Sequence, residues 1–305
     1  MPQDTRNKEY TIMKYDSWSN VRLENTCVAF GEFDGVHSGH LAVVERLKSD
    51  TKNGMTSVVV SFAPTEESLQ DKKILSTEEE KQYLLAKQGL DVMLSYPVGG
   101  EAVSLKQFVG DVLVRQLGAK VVVVGSNYEQ LNELRAYAPE FGFTLDVCDA
   151  VLADGEPVSA SRIIEALSEG RLEQATALLG HPYLIVGTVM HGKARGRLVG
   201  MPTANIGYKP YKQLPVHGVY GTLSDIDGHI VKGLTNIGKR PSDDNFDYVS
   251  IEAFLLDFAQ DLYDKTITLE IHVHIRGVIK FNSLEEVKQQ VDRDIVSIRT
   301  FLDKY

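Results

Sequence analysis

The chain has 305 residues, 43% hydrophobic and 24% charged, with 25 Gly against 10 Pro, a composition that excludes disorder and collagen-like repeats. The length suits two domains of about 150 residues. Forty-two acidic residues against 32 basic ones leave a formal charge of −10, which argues against nucleic acid and anionic membrane surfaces as partners. Cys27 and Cys148 are the only cysteines, and the polar opening MPQDTRNKEY has no signal-peptide core. No apolar run approaches the ~18 residues of a membrane span. A soluble cytoplasmic protein is expected.

Through roughly the first 180 residues, valine-rich runs alternate with helical patterns. Strands are expected at TCVAF (26–30), SVVVSF (57–62) and AKVVVV (119–124), with a helix at LAVVERLK (41–48). A second helix is capped by Ser104, places Leu105, Phe108, Val109, Val112, Leu113 and Leu117 on one face, and stops at Gly118. Strands separated by helices need right-handed crossovers, so a doubly wound parallel α/β sheet follows.

Directly after the first strand comes GEFDGVHSGH, residues 31–40. Gly31, Gly35 and Gly39 permit a tight turn, and His37 and His40 lie three apart at the mouth of a helix. Unpaired N–H groups at a helix N-terminus and two imidazoles on one side suit a phosphate chain. A glycine-rich turn with two surface histidines is the plainer alternative; the strand, turn and helix context favours a ligand site.

This segment resembles the signature of the nucleotidyltransferase superfamily and, in this form, the N-terminal module of bacterial riboflavin kinase/FAD synthetases. The resemblance implies that His37 and His40 bind ATP phosphates during adenylyl transfer to FMN, with Gly31, Phe33 and Asp34 in the nucleotide loop. Asn127, in GSNY at 125–128, fits a further family segment. Ser159, Ser161 and Arg162 stand within the family's phosphate-gripping serine–serine–threonine–x–x–arginine stretch. The chain departs from the family at Thr65, where a histidine is usual, at Glu129 and Gln130, at Ala160, and at Ile164 in place of the terminal arginine. A helix turns ~100° per residue, so Arg162, two positions away, points elsewhere than that arginine. These departures predict a module that folds and holds nucleotide but makes little FAD.

After Gly180 the rhythm changes to strands and turns: YLIVGTVM, HGVYGTL, HIVKGLTNIG, YVSIEAFLLDF and KTITLEIHVHIRG. An antiparallel β-barrel is expected. Ile267, Leu269, Ile271, Val273 and Ile275 alternate strictly and should share one face. Ser283 and Glu286 form a capping box before a final helix carrying Leu284, Val287, Val291, Ile295, Ile298 and Phe301 on one side. The boundary belongs near Gly180–Pro182, giving domains 1–182 and 183–305.

Residues 187–240 hold eight Lys or Arg and two acidic residues, which suits either an anionic ligand or a solvated charged face. Within them, HGKARGRLVGMPTANI spaces Gly192, Gly196 and Gly200 evenly, with Lys193 and Arg197 between. Thr203 and Asn205, two apart on an extended segment, offer a hydroxyl and an amide oxygen to Mg²⁺ from one side. No P-loop or protein-kinase signature occurs. Glu252 shares a strand face with Phe254 and Leu256, and a partly desolvated carboxylate there suits general-base work, a salt-bridged structural glutamate being the alternative. His272 and His274 share a face without an evident third metal ligand.

PTAN with its preceding loop, TNIGKRPS and IEAFLLDF…DLY resemble the riboflavin kinase module over nearly all of residues 183–305. The resemblance implies a six-stranded flavokinase barrel in which ATP and Mg²⁺ engage Gly192, Lys193, Arg197, Gly200, Thr203 and Asn205. Glu252 aligns with the base that takes the ribityl 5′-hydroxyl proton. The expected function is ATP- and Mg²⁺-dependent phosphorylation of riboflavin to FMN beside a diverged adenylyltransferase module. A fully bifunctional enzyme making FAD and a non-enzymatic flavin-binding regulator are the alternatives. The sequence leaves the oligomeric state open.

Overall fold

The computed structural model describes residues 13–15, 20–51, 54–99, 103–191, 201–240 and 248–305. It forms two compact units, Met1–Arg162 with Leu178–Gly180, and Ile163–Ala177 with His181–Tyr305. The division differs from a single cut near Gly180, because residues 163–177 bond within the second unit. There the Val216 N–H donates to the Leu167 carbonyl (3.2 Å) and the Gln213 amide to Ser168 Oγ (3.3 Å).

The first unit is a six-stranded sheet of β1 (Met13–Tyr15), β2 (Thr26–Gly31), β3 (Thr56–Pro64), β4 (Val92–Val98), β5 (Ala119–Gly125) and β6 (Thr144–Cys148), ordered β1-β4-β3-β2-β5-β6. Every pairing is parallel. Val58, Val59, Val60, Val122 and Val123 are fully buried, as continuous valine runs require when both faces of a sheet are covered. Helices α1 (Ser38–Asp50), α2 (Glu78–Lys87) and α4 (Leu131–Phe141) lie between successive strands, and the strand order reverses between β2 and β5. That switch point opens a crevice at the strands' C-terminal ends.

The helix expected after Ser104 is present, with a capping box between Ser104 and Gln107. Only α3 (Leu105–Gln107) is α-helical; Phe108–Gln116 is π-wound, and the Leu117 N–H donates to the Val112 carbonyl (3.0 Å). Phe108, Val109, Val112, Leu113 and Leu117 are all buried, so the apolar face survives the change of winding. Gly118 ends the segment at φ +60°, where a Cβ would come within 2.8 Å of the Glu24 Cα.

The second unit is a closed antiparallel barrel of β9 (Tyr183–Met190), β10 (Ala204–Ile206), β11 (Gly218–Ile226), β12 (His229–Arg240), β13 (Tyr248–Leu255) and β14 (Thr266–Gly277), ordered β10-β13-β12-β11-β14-β9. Strict alternation along β14 holds only as far as Ile271. Two register shifts against β11 turn the later residues over: Tyr220 pairs with His274, and Val219 with Arg276. Ile267, Leu269 and Ile271 are buried, while Ile275 packs in the cluster beneath the final helix α7 (Leu284–Leu302).

Ser283 caps α7 by accepting the Glu286 N–H, whereas the Glu286 carboxylate reaches Asn282 rather than Ser283. Ile298 and Leu302 are fully buried, but Leu284 is 67% exposed, so the helix meets the barrel through its later turns. Asp294, 2% exposed, joins the two: Arg276 donates to it from Nε (2.9 Å) and pairs through Nη2 (2.8 Å), and Gln290 donates to its other oxygen (2.7 Å). Removing one partner of a buried pair strands the other. Asp294→Ala should therefore lower stability by about 2–4 kcal/mol in urea unfolding of the whole chain, with Asp294→Asn costing less.

Candidate functional site

At the end of β2 the chain makes an unusually constrained turn. Phe33, Gly35 and Val36 have φ of 49°, 75° and 43°, left-handed values that are costly for a phenylalanine and a β-branched valine. A Cβ at Gly35 would lie 2.8 Å from Leu75 Cδ1. The Asp34 carboxylate holds the turn by accepting the Leu75 N–H (2.8 and 3.0 Å) and the Ser76 N–H (2.8 Å). Asp34 thus borders the crevice with oxygens already committed to backbone amides.

The turn delivers His37 to the N-cap of α1, where Nδ1 accepts the His40 N–H (3.4 Å). The two imidazoles stack with centroids 3.7 Å apart and planes 17° apart, and Phe33 leans on His40 at 4.9 Å. His40 Nδ1 has no hydrogen-bond partner among the described residues. Burial, then the neighbouring His37 and Lys81, hold His40 well below the usual imidazole pKa, so it is neutral at physiological pH.

A cavity of about 600 Å³ opens here, bordered by Gly31, Phe33, Asp34, His37 and His40 on the β2 side, by Asn127 just after β5, and by Ser159 just before the helix Ala160–Ser168. Those seven expected residues are brought together. Ser161 and Arg162 do not border the cavity. Ser161 is exposed, and Arg162 bonds the carbonyls of Ala153 (3.1 Å), Glu156 (3.0 Å) and Pro157 (2.9 Å), clasping the hairpin of β7 (Leu152–Ala153) and β8 (Glu156–Pro157). Arg162 is in this respect a structural residue. Tyr128 and Asp149 border the cavity as well. Burial pushes the Tyr128 pKa up, and its ring packs edge-on against Phe30. Asp149 belongs to no recognised motif, and its one mark in the sequence is its place directly after β6. Arg162→Ala removes three charge-assisted bonds and should speed amide exchange in residues 152–157 by ~10-fold or more, read by hydrogen-exchange mass spectrometry.

In the barrel, Thr203 and Asn205 border a cavity of about 280 Å³, together with Pro202, Ala253, Phe258 and Tyr263. His191 stacks on Tyr263 at 3.9 Å. Asn205, Glu252 and Asn236 stand in register on β10, β13 and β12, so their side chains share one face of the sheet. Glu252 is half-buried and accepts a hydrogen bond from Ser250 Oγ (3.2 Å). Farther along the same strand, Phe254 packs with the α7 cluster, as does the following Leu256. Asn236 belongs to the TNIGKRPS segment, and the register places it beside Glu252.

Gly192, Lys193, Arg197 and Gly200 lie outside the described residues. Two cations of the basic stretch have structural partners: Lys212, buried, donates to the Leu184 carbonyl (2.8 Å) over the Tyr183 ring, and Lys232 pairs with Asp303 (2.8 Å). His272 pairs with Glu270 (3.3 Å), and the described residues hold no group of three or more His, Cys, Asp or Glu fit for a metal. No described helix is long and apolar enough to cross a membrane.

Fold and cavities together define a two-module protein, a nucleotidyltransferase-like sheet domain followed by a flavokinase-type barrel. A family model described as FAD synthetase matches residues 19–162, and one described as riboflavin kinase matches residues 179–302. The chain is 32% identical over 304 residues to the bifunctional riboflavin kinase/FMN adenylyltransferase of Listeria monocytogenes, covering 95% of each. It is 34% identical over 300 residues to that of Pseudomonas fluorescens, covering 92% of this chain and 94% of the relative. A crystal structure described as a macrolide-efflux protein from Streptococcus pneumoniae shares the fold, with a TM-score of 0.78 at 24% identity over 94% of this chain and 98% of that one. The chain belongs to the bifunctional riboflavin kinase/FMN adenylyltransferase family.

Proposed function

We propose that the chain is bifunctional, phosphorylating riboflavin to FMN in the barrel and adenylylating FMN to FAD in the sheet domain, with ATP as co-substrate of both. The observation that carries the first-unit activity is the 600 Å³ cavity with the stacked His37–His40 pair at its helix mouth. Relatives carrying both activities in their names match the chain through both modules, which favours this reading over the kinase with an idle first module expected from the motif departures. In adenylyl transfer an FMN phosphate oxygen attacks the α-phosphorus of ATP and pyrophosphate leaves. Helix N–H groups and the imidazoles of His37 and His40 stabilise charge growing on the α-phosphate, with Asn127 and Ser159 facing it across the cavity.

In the barrel, Glu252 accepts the ribityl 5′-hydroxyl proton while the oxygen attacks the γ-phosphorus and ADP leaves. The register of Glu252 with Asn205, a residue that borders the barrel cavity, supports this assignment. Thr203 and Asn205 supply hard oxygen donors that fit Mg²⁺. When bound, that ion neutralises phosphate charge.

Purified protein incubated with riboflavin, ATP and Mg²⁺ should yield both FMN and FAD by chromatography; FMN alone would overturn the bifunctional reading. Glu252→Gln should cut FMN formation by ~10²-fold or more while riboflavin still quenches on binding. Activity within a few-fold of the parent would remove Glu252 from its role. Thr203→Ala and Asn205→Ala should raise the requirement for Mg²⁺-ATP and spare riboflavin affinity, because their partners are metal and phosphate rather than the flavin ring.

A further inference from the structure

Glycine weakens the interior of a strand, so each one in the barrel needs a reason. A Cβ at Gly187, Gly218, Gly221 or Gly233 would run into the Gly207 carbonyl, His274, Val273 or Thr222 at 2.8 Å or less. Packing accounts for those four. Gly277 is exposed at the end of β14. Gly238 is different, because it is buried and its backbone is not left-handed. Among the described residues, the atoms nearest to a Cβ added there are Asn236 Nδ2 at 3.7 Å and Val278 Cγ2 at 4.0 Å, which are ordinary contact distances. An alanine fits against these neighbours. With torsion and described neighbours both permitting a side chain, the remaining reason for glycine at this place in a strand is the close approach of a ligand.

Gly238 stands close to the proposed base. β13 lies between β10 and β12, so Glu252 is in register with Asn205 on one side and with Asn236 on the other. Gly238 follows Asn236 by two residues on the same face, opposite Ser250. Ser250 Oγ links the two positions, at 3.2 Å from Glu252 Oε1 and 3.4 Å from the Gly238 carbonyl oxygen. Phosphoryl transfer needs the attacking and leaving oxygens roughly in line across the phosphorus. On the kinase reading, Thr203 and Asn205 take the ATP phosphates on the β10 side of Glu252. The acceptor hydroxyl therefore arrives from the β12 side, across Asn236 and Gly238. Val278, 63% exposed, borders that path, and Ile279 follows it at 46% exposed, so apolar surface is on hand for a ring system carried by the acceptor.

We propose that Gly238 is a specificity-determining position of the barrel: its bare backbone lets the ribityl chain of riboflavin lie against β12 with the 5′-hydroxyl at Glu252. The inference rests on the kinase reading for the identity of the acceptor. A methyl group at this position lifts the chain by about 1.5 Å, the length of one carbon–carbon bond. In the full chain, Gly238→Ala should keep the parent's urea midpoint or raise it, because alanine fits the strand and lowers the entropy of the unfolded chain. The same variant should weaken riboflavin binding by ~10-fold or more, read by flavin fluorescence quenching with Mg²⁺-ADP present, and lower kcat/KM for riboflavin at least as much. Its KM for Mg²⁺-ATP should stay within about two-fold of the parent's, since the nucleotide lies on the other side of Glu252. An alanine variant that binds and phosphorylates riboflavin as the parent does would overturn the proposal. A fallen urea midpoint or a misfolded variant would overturn it too, because packing would then explain the glycine. A parent that binds riboflavin and makes no FMN would refute the kinase reading instead, and the quenching comparison would still decide the role of Gly238. A parent that binds no riboflavin would overturn both.

Discussion

The first unit depends on a single carboxylate. Three left-handed residues within four positions cannot hold themselves at the end of β2, and Asp34 fixes them by accepting backbone N–H groups from Leu75 and Ser76. A carboxylate accepting such bonds in a partly buried setting is among the stronger restraints available to a loop. What it secures is functional geometry. Phe33 is placed against His40, His37 caps α1, and the two imidazoles stack at the helix mouth, where the sheet's switch point already opens a crevice. Strain in the turn is thus balanced by an anchor 41 residues away in sequence, and the histidine pair inherits its orientation from that balance.

The barrel solves a comparable problem by register. Asn205, Glu252 and Asn236 fall on one face because β10, β13 and β12 pair without a shift through that row, while the shifts occur on the other side, between β11 and β14. Those bulges turn Ile275 toward α7 and set Arg276 against Asp294. Two extra residues in one strand therefore have two effects: they end the barrel-facing alternation and present the cation that ties down the final helix. The row holding Glu252 is left undisturbed.

Much of this architecture is legible in the sequence, and the illegible parts share a cause. Apolar runs announce β2, β3 and β5 because a strand covered on both faces must be apolar throughout, and Ser104 and Gly118 bracket a helix by capping chemistry that is local. The π-winding of Phe108–Gln116 is hidden because its apolar spacing serves either helix. The bulges in β14 arise from pairing with β11, some fifty residues earlier, and no window on β14 contains that information. Lys81 follows three glutamates in sequence, and its burial exists only where β3, β4 and α2 meet. Arg162 is the instructive contrast. Its divergence from the phosphate side follows from helix geometry alone, and the hairpin carbonyls it clasps explain what the residue does instead.

The same distinction bears on the departures at Thr65, Ala160 and Ile164. Losing one donor aimed at a transition-state oxyanion costs about 10²–10³ in rate, so a tally of missing motif residues points to an idle module. Such a tally treats the site as the sum of aligned side chains. The charge that forms on a phosphate under attack responds instead to the whole local field, including cations with no direct contact and helix N-termini whose amides no motif records. Here the cavity keeps its helix mouth, its stacked imidazoles, Asn127 and Ser159. On the reading proposed above, each of these would act on a bound phosphate without occupying a position that the missing residues vacate, so a diverged motif is compatible with adenylyl transfer.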